Sequence, residues 1–291
     1  MRTDSPQTAP SIELSSTEFI FGTTAGMRGL REEVERAIDD DLPVLIEGES
    51  GTGKEALGRF LHSHSSRGGA PFVNLKCAAS PAVVMESEIY GSQGGAIAEG
   101  HATSRSSAGL SSGGTLFLDE IGDMELGLQR KLSEALVSKQ YPSPDGSGTK
   151  AVDARFVAAS GQDMRAMAQT HPVVKELLKP FGHHYLRLIP LRERKEDIPQ
   201  LCEYLLGKFA REFGRSVPQL GGDVLEAFQI WKWPGNVREL ENWIARIVIF
   251  GAEEAVGLQF SRQLVTWHEP ELGRQVNRRG IGRVRLRRRH S

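Results

Sequence analysis

The stretch LPVLIEGESGTGKEALGRFLHSH, residues 42–64, decides the fold. It opens with an apolar run of strand length, LPVLIE (42–47), and closes with KEALGRFLHSH (54–64), whose apolar residues recur at helical spacing. Between them lies GESGTG (48–53). Strand, glycine loop and helix in that order are the context a phosphate-binding loop requires. Gly48, Gly51 and Gly53 let the backbone wrap closely and aim N–H groups at phosphate oxygens, with Glu49, Ser50 and Thr52 completing the loop. Lys54 supplies a point charge for the β- and γ-phosphates of ATP, and the helix N-terminus adds its partial positive charge. Glu55 stands where a Ser or Thr usually gives Mg²⁺ a hydroxyl ligand. The plain alternative is a glycine-rich turn that opens a helix.

Downstream, TLFLDE (115–120) is an apolar strand ending in two acids. Such strands are common alone. After a phosphate loop, Asp119 reads as the Mg²⁺ ligand and Glu120 as the acid that orients and polarises the attacking water. In WPGNVREL (233–240), Trp233–Pro234–Gly235 reads as a tight corner and Asn236 as the cap of the next helix. Arg238 falls in the first turn of that helix, where the dipole disfavours a cation, so it points to an anionic partner such as a nucleotide phosphate.

Between these motifs, periodicity predicts helices over 27–38, 81–90 and 126–136, and strands over 71–77 and 154–160. Residues 91–114 are rich in Gly, Ser and Ala and read as a long functional loop. Alternating strands and helices imply an α/β fold, a parallel sheet with helices on both faces. From Asp197 on, strands give way to three amphipathic helical segments. The expected organisation is a disordered N-terminus (1–17), an ATP-binding α/β domain (18–192), a small all-helical lid domain (193–258) and a basic, disordered tail (259–291).

Composition narrows the function classes. The chain has 291 residues, 39% apolar and 25% charged, ordinary globular proportions. Two cysteines, Cys77 and Cys202, exclude a disulfide framework and a four-cysteine zinc site. No apolar run reaches membrane-spanning length, and MRTDSPQTAPSIELSS lacks a signal-peptide core, so a cytoplasmic protein is expected. The net charge of −1 hides an asymmetry. Eight of the 36 basic residues are arginines after Glu271, leaving 28 against 37 acidic residues in the body. The body would repel DNA and the tail alone would attract it, in a strongly salt-dependent way; a solvated tail is the plainer reading. His183 and His184 read as a surface or interface pair, Cys77 as a small apolar residue in or beside a strand, and Trp231, Trp233 and Trp243 as lid core or lid–nucleotide packing.

GESGTGKE (48–55), GGTLFLDEIGDM (113–124), LRERKEDIPQL (191–201) and WPGNVRELEN (233–242) together resemble the AAA+ domain of bacterial sigma-54-dependent transcription activators, over about residues 19–258. The resemblance implies a P-loop AAA+ fold with a helical lid. It also implies a homo-oligomeric ring, commonly a hexamer, whose ATP cycle remodels sigma-54 RNA polymerase. Several family positions differ. The GAFTGA loop that contacts sigma-54 reads Gly95–Gly100, GAIAEG. The asparagine that restrains the catalytic glutamate is replaced in Lys76–Ala79, which suggests that Lys76 pairs with Glu120. The sensor segment ends Ala159–Ser160–Gly161, without its asparagine. Of two interface arginines only Arg187 has a counterpart. These losses bear on hydrolysis rather than binding, so ATP binding with impaired turnover is expected. The runner-up is a catalytically weak nucleotide-binding module that joins and modulates rings of an intact activator. No helix-turn-helix pattern follows residue 258.

Overall fold

The computed structural model describes residues 21–78, 81–90, 113–143 and 146–251. The expectations for the N-terminus, the GAIAEG loop and the arginine tail fall outside these residues.

The elements run α1 (Ala25–Ile38), β1 (Val44–Glu47), α2 (Lys54–His64), β2 (Phe72–Lys76), α3 (Ala82–Tyr90), β3 (Thr115–Asp119), α4 (Leu126–Ser138), β4 (Gln140–Pro142), β5 (Thr149–Ala151), β6 (Arg155–Ser160), α5 (Met164–Thr170), α6 (Pro172–Leu178), β7 (His184–Arg187), α7 (Ile198–Phe213), α8 (Gly222–Ile230) and α9 (Asn236–Phe250). Five strands form a parallel sheet in the order β2–β3–β6–β1–β7, and β4 with β5 make a separate antiparallel hairpin. β1 lies between β6 and β7. Strand alternation sends side chains to two cores. Leu45, Leu116, Leu118, Phe156 and Ala158 pack with α3 to α6. Val44, Ile46, Phe117, Val157 and Ala159 pack on the opposite face with α1 and α2. Helix α2 comes so close to β3 that a Cβ on Gly58 would sit 2.4 Å from the Phe117 ring. That contact fixes the helix directly after the glycine loop against the strand carrying the acid pair.

Helices α7, α8 and α9 enclose a third core around Trp233, which is fully buried. Its ring meets Phe228 edge-on at 5.2 Å, and its indole N–H donates to the Phe228 carbonyl at 2.8 Å. Trp243 is buried and Trp231 partly buried in the same core, as expected. The segment before α1 is fastened to the start of this helical layer. The buried Asp197 carboxylate accepts hydrogen bonds from the backbone N–H and hydroxyl of both Thr23 and Thr24.

Strand β7, the β4–β5 hairpin and the short helices α5 and α6 were not predicted. β7 (HYLR) is a polar edge strand with one buried residue, and both hairpin strands are mostly exposed, so neither shows strand-like hydrophobicity.

Candidate functional site at the carboxyl ends of the strands

The glycine loop leaves the carboxyl end of β1, the position at which open parallel sheets bind ligands. Its own hydrogen bonds brace it. The Gly48 N–H donates to the Ser160 carbonyl at 3.1 Å, and the buried Thr52 donates through both N–H and hydroxyl to the Glu49 carbonyl. Gly53 takes φ +106°, a backbone conformation that favours glycine.

Lys54 opens α2 and is 7% exposed. Its ammonium lies 2.8 Å from the Gly48 carbonyl and 2.9 Å from Glu120 Oε1. The glycine loop and the acid pair that closes β3 therefore meet in space. Asp119 ends β3 half-buried. Burial, then the charge of Glu120, pushes its carboxyl above the usual carboxylate range, and no hydrogen bond reaches that carboxyl among the described residues. Glu120 takes a left-handed backbone conformation, φ 58° and ψ 55°, unusual for a non-glycine residue and consistent with a functional constraint. Its Oε2 accepts the Gly161 N–H at 2.6 Å.

The expectation that Lys76 pairs with Glu120 is corrected by the geometry. Parallel register sets Lys76 beside Asp119 on the neighbouring strand, exposed, and Glu120 pairs with Lys54 instead. Glu55 pairs with Arg59 one turn along α2, on a half-exposed surface. Arg187 is exposed at the end of β7, in register with Glu47, without an ion pair or hydrogen bond from its side chain among the described residues.

Asn236 also departs from expectation. It is the first residue of α9, fully buried at φ 51°, and its side chain does not cap the helix. Its Oδ1 accepts from the Leu191 N–H at 2.9 Å, and its Nδ2 donates to the Ser50 carbonyl at 3.0 Å and to Glu49 Oε2 at 3.2 Å. The reason is distance along the chain: a capping signal is local, whereas these partners lie more than forty residues away. Glu49, read from the sequence as part of the phosphate cradle, turns its carboxylate to Arg192, which forks onto both oxygens at 2.6 Å. This bond, then that from Asn236, holds the Glu49 carboxyl down at about 2 against the opposing effect of burial. Arg238 joins the same contact. Its N–H donates to the Gly51 carbonyl at 3.2 Å and its guanidinium reaches the Ser50 hydroxyl at 3.4 Å. Gly51, at φ +77°, fits because a Cβ there would come within 2.2 Å of the Gly235 carbonyl. The glycine loop is thus latched to the helical layer through Glu49, Ser50 and Gly51.

Beneath the loop, the buried Glu47 carboxylate accepts the Met164 N–H at 2.8 Å and the Tyr185 hydroxyl, and Arg165 lies 3.7 Å over the Tyr185 ring. Burial and the bond to Glu47 raise the Tyr185 pKa. A buried acid directly before the first loop glycine was visible in the sequence, but its partners were not. No group of three or more His, Cys, Asp and Glu suited to a metal occurs among the described residues, and His184 instead bonds Asp40 at 2.8 Å. No described helix is long and apolar enough to cross a membrane.

The donor set fits a nucleoside triphosphate with a divalent cation: a glycine loop, a buried ammonium closing it, and beside it a half-buried carboxyl that accepts no hydrogen bond among the described residues. Residues 20–184 match the sigma-54 interaction domain family, and residues 192–266 match the AAA+ ATPase lid domain. The chain is 39% identical over 256 residues to the DNA-binding transcriptional activator HyfR of Escherichia coli, covering 87% of this chain and 38% of HyfR. It is 38% identical over 251 residues to the DNA-binding transcriptional regulator NtrC of Klebsiella pneumoniae, covering 86% of this chain and 53% of NtrC. The chain thus spans about half or less of the length of these relatives. Among solved structures, NtrX from Brucella abortus in complex with ADP is similar with a TM-score of 0.69 at 30% identity, covering 78% of this chain and 50% of NtrX. The NtrX complex with ATP gives a TM-score of 0.69 at 29% identity, covering 79% of this chain and 50% of NtrX.

Proposed function

The chain belongs to the sigma-54 interaction domain family of AAA+ proteins, and on that premise we propose that it binds ATP with Mg²⁺ at the Lys54–Asp119–Glu120 site and uses the nucleotide to regulate transcription through sigma-54 RNA polymerase. The observation that carries this reading is the convergence of a buried loop lysine with the acid pair of the adjacent strand end.

In this reading the backbone N–H groups of Gly48 to Gly53 and the ammonium of Lys54 hold the phosphates, and Asp119 holds the metal directly or through water. Bound Mg²⁺ would neutralise phosphate charge. Glu120 orients a water and accepts its proton. Lys54 has two tasks, because the ammonium that would meet phosphate also pairs with Glu120. Arg187, exposed at the sheet edge, serves the site of a neighbouring subunit in a ring. Glu49 and Asn236 hold the outer side of the loop rather than the nucleotide, which supports a site coupled to the lid. We read the chain as an α/β ATP-binding body over 18–192 and a helical lid over 193–258. The cellular setting is cytoplasmic.

ATPase measurements over a range of protein concentrations test this. Turnover per subunit should rise as rings form, and Arg187→Ala should remove that rise. Concentration-independent turnover insensitive to Arg187 would contradict the shared-site reading.

A further inference from the structure

We propose that Gln162 and the backbone amide of Gly161 form a clasp that positions Glu120. The inference rests on Glu120 being the water-orienting acid.

The clasp joins the turns that follow two adjacent strands, β3 and β6. On the β3 side, Glu120 begins a tight turn closed by the Asp123 N–H donating to the Glu120 carbonyl at 2.9 Å. On the β6 side, Ser160 and Gln162 brace one another: the Ser160 hydroxyl donates to the Gln162 carbonyl at 3.1 Å, and the Gln162 N–H donates back to that hydroxyl at 3.0 Å. Two bonds then cross between the turns. The Gly161 N–H reaches Glu120 Oε2 at 2.6 Å, and Gln162 Nε2 reaches Asp123 Oδ1 at 2.7 Å. Glycine suits the crossing point. A Cβ on residue 161 would lie 3.2 Å from Glu120 Oε2 and 3.4 Å from Oε1, so any larger residue crowds the carboxylate. Behind the turn, Glu47 accepts the Met164 N–H and fixes where the chain enters α5.

Glu120 therefore has two donors, Lys54 and Gly161. Lys54 is the one a triphosphate would recruit, and the Gly161 N–H is the one that remains. Gln162 is exposed, so its bond to Asp123 contributes little to global stability. What it fixes is the position of the 160–162 turn, and through it the Gly161 N–H. Gln162 is a positioning residue that acts on Glu120 without touching it.

Amide hydrogen exchange at Gly161 in the nucleotide-free, full-length chain reads the clasp directly. The wild-type amide should be protected. Glu120→Ala and Gln162→Ala should each accelerate its exchange about tenfold, as expected for loss of one charge-assisted hydrogen bond. Asp123→Asn keeps the Oδ1 acceptor without its charge, so its rate should lie between those of the wild type and Gln162→Ala. In the same Gln162→Ala protein, ATP affinity should stay within about twofold while turnover per site falls about tenfold. A merely structural lesion would lower affinity, turnover and Tm together, and that result would overturn the positioning role. An unprotected Gly161 amide in the wild type, or exchange unaltered by Gln162→Ala, would overturn the clasp. Failure of ATP to bind would refute the nucleotide reading and the inference's premise, while the exchange rates would still report the clasp geometry separately.

Discussion

Replacing Asn236 tests the latch between the glycine loop and the lid. The side chain is fully buried and makes three hydrogen bonds, one to Leu191 and two to the loop at Glu49 and Ser50. Truncation removes all three and leaves the Leu191 N–H and the Ser50 carbonyl without that partner. At about 1 kcal/mol net for each bond, Asn236→Ala should lose about 3 kcal/mol. The backbone adds to this. At φ 51° asparagine is tolerated, whereas alanine carries a penalty of about 1 kcal/mol. The expected total is about 4 kcal/mol, a fall in Tm of about 8 °C for a chain of this size. Asn236→Gly removes the same three bonds without the left-handed penalty and should recover about 1 kcal/mol. Guanidinium titration of the three proteins, followed by tryptophan fluorescence, measures both differences. The lid tryptophans make that signal local. A loss below about 1 kcal/mol in Asn236→Ala, with the glycine variant no better, would refute the latch.

Other consequences can be checked alongside. The Glu49 carboxyl is held below its ordinary value of 4.5, at about 2, so the stability it contributes is complete above pH 4.5 and disappears as pH falls towards 2. With both partners partly exposed, the stability gap between wild type and Glu49→Gln should be at most about 1 kcal/mol at neutral pH and close over that acid range in urea titrations. Gly51→Ala places a Cβ 2.2 Å from the Gly235 carbonyl at φ +77°, so it should destabilise the protein by about 2 kcal/mol or more and weaken ATP binding, measured by thermal unfolding and calorimetry. Burial pushes the Cys202 thiol up to about 12, and burial with the nearby Asp119 does the same for Cys77; a thiol reagent at pH 8 should label neither until denaturant is added.

The parts legible in the sequence were those whose physics is local. Strands β1, β3 and β6 appear as apolar runs and the large helices as stripes, because each buries a continuous face against the sheet or lid core, and β2 appears as a shorter apolar stretch around the buried Leu75. The meeting of Lys54 with Glu120 followed from motif order, since a parallel sheet brings successive strand ends to one edge. What could not be read depends on partners far apart in the chain. Asn236 resembled a helix cap because an Asn before an amphipathic run is the local signal for one, yet its bonds go to residues 191, 49 and 50. Lys76 resembled a partner for Glu120, but strand register puts it opposite Asp119. The Gly161 donor is a backbone group, and no side-chain pattern announces it. The β4–β5 hairpin is mostly exposed and polar, so it carries no hydrophobic periodicity.

Calorimetric titration of ATP with Mg²⁺ into the full-length wild-type chain and its Lys54→Ala variant most directly tests whether the loop lysine and the acid pair form a triphosphate site. The wild type should bind saturably, and loss of the buried ammonium should weaken binding by roughly 10- to 150-fold, the range for one charge-assisted bond. Equal affinity in the two proteins would contradict the account.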